Sequence, residues 1–269
     1  MDFVHDWIVP PEATAGAGEY LFVSIIALLL TAVSKGGFGG GVGVLSVPLM
    51  LQVAPSVGFV VGMWLQILIV CDACTIRHYP REWNPKAFWK LAPGMLVGIT
   101  IATIYMAVAD LRAGTPFDNF LKISVAVISV VFLYLQLFPA KVSDEPWVPT
   151  WGVSIPTGMI AGITTTIAHA AGPIITMFLL PQKMEPRVYM GTCGRFFFIF
   201  NSLKVPFNVA SGLLIWPTLK YGIWLMILAP LGVWLGAYLN RRMSAKWFVR
   251  VVQISLVIAA AKLVYDVVQ

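Results

Sequence analysis

The chain has 269 residues, of which 59% are hydrophobic and only 11% charged, and its mean hydropathy is +0.84. A soluble core has no use for that much apolar surface, so composition excludes a soluble globular protein and predicts an all-α polytopic membrane protein. The formal net charge of +6 is not a signal for nucleic acid, because the basic residues gather at predicted helix ends, Arg77 to Lys90 and Arg241 to Lys246. Positive-inside orientation accounts for them, with lipid as the surrounding partner. The first apolar run follows Asp2, Asp6, Glu12 and Glu19 rather than a basic segment, so no cleaved signal peptide is expected.

In chain order, the apolar runs predict a first repeat over 1–138, with a broken or re-entrant hairpin at 20–54 and helices at about 56–76, 87–109 and 118–138. A polar linker at 139–149 follows, predicted to be cytoplasmic. A second repeat over 150–269 then has a hairpin at 150–181 and helices at about 187–209, 218–239 and 247–268. Shared wording supports duplication. Leu91-Ala92-Pro93 is echoed by Leu228-Ala229-Pro230, and Val47-Pro48-Leu49 after the glycine stretch by Gly172-Pro173-Ile174 after the threonine stretch.

Charge sets the expected orientation. The basic loop follows the third apolar run in the first half and the fourth in the second, so both are cytoplasmic only if each broken stretch returns to the side it entered from. Each half then crosses an odd number of times and the repeats are inverted, with both termini outside the cytoplasm. The arm Tyr20 to Ser34 would rise only about 22 Å against a hydrocarbon thickness of roughly 30 Å, which predicts arms that tilt or stop inside the membrane.

The breaks themselves are Ser34 to Gly43 and Gly162 to Gly172, and each frees backbone groups that must face protein, water or a ligand. Glycines at a helix start let N–H groups approach an anion, the role expected of Gly39, Gly40 and Gly41; close helix packing is the alternative. Thr164, Thr165 and Thr166 supply hydroxyls at the second break, unless these bond back to their own helix.

Arg195, deep in its apolar run, is the strongest single candidate for neutralising an anion, with an ion pair to Asp72 as the alternative. Lys35 at the first tip is a second cation, unless it snorkels to an interface. Gln66 holds the place in the first half that Arg195 holds in the second. His169 is a candidate for anion binding or proton exchange, although neighbouring backbone would satisfy it equally well. Asn201 and Asn208 are further donors, and Asp72 is, with His169, a candidate coupling group.

Cys71 and Cys74 form a C-x-x-C inside an apolar helix with no second pair or histidine ligands, so neither a metal site nor a cofactor is expected. Ser34 or Ser46 with His169 lacks any accompanying nucleophile or metalloprotease motif, so an enzyme is not expected. No nucleotide-binding motif occurs, which leaves ion gradients or the membrane potential to drive transport, protons included. The oligomeric state is open and a homodimer is allowed.

The stretch Lys35-Gly36-Gly37-Phe38-Gly39-Gly40-Gly41 followed by Val47-Pro48-Leu49, repeated more loosely from Gly162 to Pro173, resembles the sulfite exporter TauE/SafE family over nearly the whole chain. The resemblance implies a permease of the cytoplasmic, or inner, membrane that moves a small sulfur-containing anion such as sulfite or an organosulfonate, usually outward. Import of a related sulfur-containing or carboxylate anion is the alternative direction. This chain departs from the family pattern where Thr164 to Thr166 stand in place of glycines. For an anion leaving a negative interior, the potential alone supplies about 2.3 kcal/mol per charge at 100 mV.

Overall fold

The structure, a computed structural model, describes residues 7–40, 43–107, 145–240 and 242, with scattered positions between 115 and 134. All regular elements among the described residues are helical. They are α1 (Ala17–Gly37), a 3-10 turn at Gly43–Leu45 leading into α2 (Ser46–Met50), α3 (Val57–His78), α4 (Pro85–Ala107), α5 (Trp151–Ala168), α6 (Ala171–Leu179), α7 (Pro186–Ala210) and α8 (Trp216–Asn240). Most of the predicted helix 118–138, the whole of 247–268, the first part of the 139–149 linker, Gly41 and both chain termini lie outside the described residues.

Local chemistry sets the helix ends. The Ser56 hydroxyl accepts the Phe59 N–H and caps α3, whose last turn carries Arg77 and His78 at the negative end of the helix dipole. Asn84 caps α4 through Ala87 N–H, with Pro85 at the first helical position; Pro186 opens α7 in the same way. Helices α1, α3, α4 and α8 are each long and apolar enough to cross a membrane. α7 is just as long at 25 residues and carries Arg187, Arg195 and Lys204.

The first arm differs from the sequence expectation. α1 continues through Lys35, Gly36 and Gly37 to reach 21 residues, about 31 Å of rise rather than 22 Å. It continues because Lys35 finds a buried partner and the two glycines let the last turn lie directly on α8. A Cβ at Gly36 would stand 2.1 Å from the Val233 carbonyl oxygen, and one at Gly37 would stand 2.3 Å from that of Gly236. The return arm is correspondingly short, since only 43–50 is helical.

Cross-helix contacts give the directions. Tyr20 meets Met63, Thr31 meets Trp64, Lys35 meets Asp72 and Gly36 meets Tyr79, so α1 and α3 run the same way, and α8 runs with them along Ala32–Gly232 and Val33–Gly236. α7 runs against α3, pairing Arg195 with Tyr79 and Asn201 with Asp72, while α4 runs with α7 and with α5. The strongest packing lies within these two groups: α8 on α1, and α5 on α4. The α4–α5 seam is built from Gly94, Gly98, Gly158 and Gly162, each so close to the facing backbone that a Cβ would lie within 2.5 Å of a carbonyl oxygen. Outward faces carry Ile101, Ile104, Ile227, Leu231 and Trp234, exposed as lipid-facing residues are.

The seam predicts a stability effect. Gly98→Val should cost about 1–3 kcal/mol or more by forcing α4 from α5, whereas Gly152→Ala, which meets nothing within 4 Å, should be neutral. Melting of the detergent-purified variants checks both.

Candidate functional site

Both helix breaks are made by the same turn. At the end of α1 the Gly40 N–H reaches back to the Ser34 carbonyl at 3.1 Å, and at the end of α5 the Ala170 N–H reaches back to Thr164 at 3.2 Å. Each closure spans six positions and passes through a left-handed residue, Gly39 with φ 73° (followed by Gly40 with φ 83°) in the first turn and His169 with φ 52° in the second. Glycine adopts that conformation freely, but histidine does so only when its surroundings hold it there. Here the His169 Nε2–H donates to the Val61 carbonyl at 2.9 Å and its Nδ1 accepts from Lys204 at 3.2 Å, which also fixes the neutral tautomer.

Between the two turns lies a buried charged cluster. The Lys35 ammonium donates to Asp72 Oδ1 at 2.6 Å and sits 4.1 Å from the centre of the Phe197 ring; the second carboxylate oxygen accepts from Asn201 Nδ2 at 2.7 Å. Lys204 donates to the Thr165 carbonyl and hydroxyl, each at 3.1 Å, and to His169. Asp72 is fully buried, and Lys35 and Lys204 retain only 6% and 1% exposure. Lys35, Asp72 and Lys204 are close enough to act on one another electrostatically. Two buried lysines and one buried carboxylate share this interior.

Five of the sequence candidates meet at this cluster: Lys35, Asp72, Asn201, Thr165 and His169. Others do not. Thr164 and Thr166 bond back to the carbonyls of Ile160 and Gly162, so only the middle hydroxyl of the three faces a cation. Gly39 and Gly40 form the turn after α1 rather than a helix start, with Tyr189 against Gly39 and Phe197 against Gly40, and Gly41 is outside the described residues. Gln66 donates to the Thr218 carbonyl at the start of α8.

Arg195 also stands apart. It donates to the carbonyls of Tyr79, Pro80 and Gly191 and lies over Trp83, clamping the turn that follows α3. Tyr79 is about 10 Å along α3 from Asp72, so the alternative pairing of Arg195 with Asp72 is replaced by that of Lys35 with Asp72. Helical side chains lean toward the N-terminus, and a long one carries its charge back a full turn; the guanidinium therefore sits much shallower than its Cα.

Sequence reasoning missed Lys204, which has the same i, i+3 relation to Asn201 that places two residues on one helix face. Asn208, one turn further on, is buried and its Nδ2 has no partner among the described residues. A cavity of about 430 Å³ lies beside the first turn, lined by Phe38, Thr176, Tyr189, Met190 and Asn240, among others. Tyr189 separates it from Gly39 and donates to the Thr176 hydroxyl at 3.1 Å. No group of three or more metal-ligating side chains occurs among the described residues, and the three cysteines are free.

Four helices long and apolar enough to cross a membrane, with a buried charged cluster beside two helix ends, are the features of a multi-pass membrane protein. Residues 24–263 match the family described as sulfite exporter TauE/SafE. The chain belongs to that family, whose members are membrane transporters of sulfur-containing anions rather than enzymes. No curated protein and no solved structure matches it.

The ion pair makes a further prediction. Asp72→Ala would strand a buried ammonium and should cost about 3–5 kcal/mol, whereas the double substitution Lys35→Met with Asp72→Leu should recover most of that loss. Thermal melts of the two variants beside wild type test the pairing.

Proposed function

We propose that the protein is a secondary transporter that carries sulfite or a small organosulfonate out across the cytoplasmic membrane by alternating access, holding the anion at the meeting point of the two helix breaks. The observation that carries this reading is the burial of two lysines, Lys35 and Lys204, beside the single carboxylate of Asp72, which as ammoniums leave a positive surplus. Unpaired charge in an apolar interior is costly, and an arriving anion removes that cost. Lys35 and Lys204 are the charge-bearing ligands; Thr165, His169 and Asn201 supply or orient hydrogen bonds. Asp72 and His169 remain the candidates for proton coupling. Arg195 and Gln66 hold the helix ends in place around the site.

We read the architecture as two inverted repeats. Three things support this: the matching turns at Gly39 and His169, the opposite directions of α1 and α5, of α3 and α7 and of α4 and α8, and the reciprocal packing of α1 on α8 and α5 on α4. In this arrangement both termini face away from the cytoplasm.

In proteoliposomes loaded with sulfite or methanesulfonate, Lys204→Gln and Lys35→Gln should each reduce anion efflux by about tenfold or more. Arg195→Gln should lower the melting temperature yet keep the thermal shift produced by anion; loss of that shift would return Arg195 to the site. A cysteine introduced at Ser143 should be labelled only from the cytoplasmic side. One introduced at Asp2 should be labelled only from outside, and the reverse pattern would overturn the orientation.

A further inference from the structure

We propose that the site is built for one negative charge, so that the transported species is a monovalent tetrahedral oxyanion, such as bisulfite or an alkanesulfonate, in preference to a dianion of the same shape. This inference rests on the anion site proposed above and names its substrate class more closely.

The argument is a charge count over the groups that face one another at the two turns. Lys204 Nζ has three hydrogen-bond partners: the Thr165 carbonyl, the Thr165 hydroxyl and His169 Nδ1. Val61 O can only accept, so His169 Nε2 carries the ring proton and Nδ1 presents a lone pair. An ammonium has three N–H donors and no acceptor, each of the three partners can accept, and the charge count takes Lys204 in that form.

Lys35 is likewise held as a cation, by a carboxylate oxygen at 2.6 Å and the face of Phe197. Asp72 has one oxygen on Lys35 and the other on the Asn201 amide, the pattern of an ionised acceptor. His169 is neutral. The Cys71 and Cys193 thiols and the Tyr189 hydroxyl add no charge in these apolar surroundings.

The sum is a single positive charge. A monoanion brings the closed site to neutrality, and a dianion leaves it as far from neutrality as the empty site, with the opposite sign. Since an uncompensated buried charge is the expensive state, valence becomes a selectivity device that acts independently of size.

The test compares methanesulfonate with sulfate, tetrahedral anions of similar size and different charge, by thermal shift and by proteoliposome flux in the full-length protein. Wild type should favour methanesulfonate by at least about tenfold. Asp72→Asn keeps the shape of the side chain but raises the surplus by one charge, and should move the sulfate-to-methanesulfonate ratio up by at least about tenfold. A merely structural role for Asp72 would weaken both anions alike and leave the ratio where it was. Sulfate equal to or better than methanesulfonate in wild type overturns the valence inference while leaving an anion site in place. No response to any anion, sulfite included, overturns the site itself. The wild-type ratio decides the question even if the variant does not fold.

Discussion

A lysine buried where a helix ends inside an apolar protein must be paired, and the pairing of Lys35 with Asp72 organises what surrounds it. Lys35 belongs to the last full turn of α1, where the carbonyl ends of the helix point into the break. Its ammonium ties that turn to α3 through one carboxylate oxygen, and the other oxygen ties α3 to α7 through Asn201. The Thr75 hydroxyl adds a bond to the Lys35 carbonyl, and the Tyr79 hydroxyl adds one to Gly36. Buried ion pairs contribute little net stability over an apolar replacement, but removal of one partner is severe, so such a pair fixes arrangement more than it strengthens the fold. Here it fixes where the first helix stops.

The two repeats we propose correspond at this cluster by a constant spacing. Asp72 and Asn201, which bond to each other, are 129 positions apart in sequence. The same spacing relates Gln66 to Arg195, both of which clamp backbone carbonyls of a neighbouring element, and Gly62 to Gly191. Each of those glycines abuts a carbonyl in the loop of the opposite half, Leu213 for the first and Glu82 for the second. Thr75 and Lys204 share that spacing too, and both donate to the carbonyl of a residue in the arm of their own half, Lys35 for one and Thr165 for the other. On that proposed correspondence, lysine and threonine stand at exchanged places in the two halves. One cation stands on the arm and the other on the long helix, which spreads the charge across the site instead of stacking it on one element.

Much of this was legible in the sequence, and the misses have physical causes. The apolar runs and the two breaks are properties of local sequence, and they carried the membrane class and pointed to where the buried charged cluster lies. Lys35, Asp72 and His169 were legible one at a time, because an ionisable residue in an apolar run needs a reason. Their partners were not. The pairing of Lys35 with Asp72 depends on α3 returning alongside α1, which no local pattern encodes. Arg195 seemed deep because depth was counted at its Cα, whereas a long side chain leaning toward the helix N-terminus delivers its charge a turn away. Lys204 was overlooked although it shares a helix face with Asn201 and Asn208; asking which polar residues of α7 fall on one stripe would have found it. Gly39 and Gly40, expected at a helix start, instead follow the end of α1, because glycine serves close packing, turning and C-terminal capping alike.

A carrier that exposes one site to two sides needs two bodies that stay intact while the contact between them changes. The helices fall into such groups by direction: α1, α3 and α8 in one, α4, α5 and α7 in the other. The glycine-lined seams, α8 on α1 and α5 on α4, lie within the groups, as do the bonds from Lys35 to Asp72 and from Lys204 to Thr165 and His169. Among the described residues, three contacts cross between them at the cluster. The Asn201 amide reaches Asp72, the His169 ring reaches the Val61 carbonyl, and the Phe197 ring faces Lys35. Each group therefore holds one lysine by contacts of its own, and the anion we propose would lie between them. In the carrier we propose, parting the groups would break the Asn201 bond to the Asp72 carboxylate, the His169 bond to Val61 and the Phe197 ring contact, and would leave the Lys35–Asp72 pair whole.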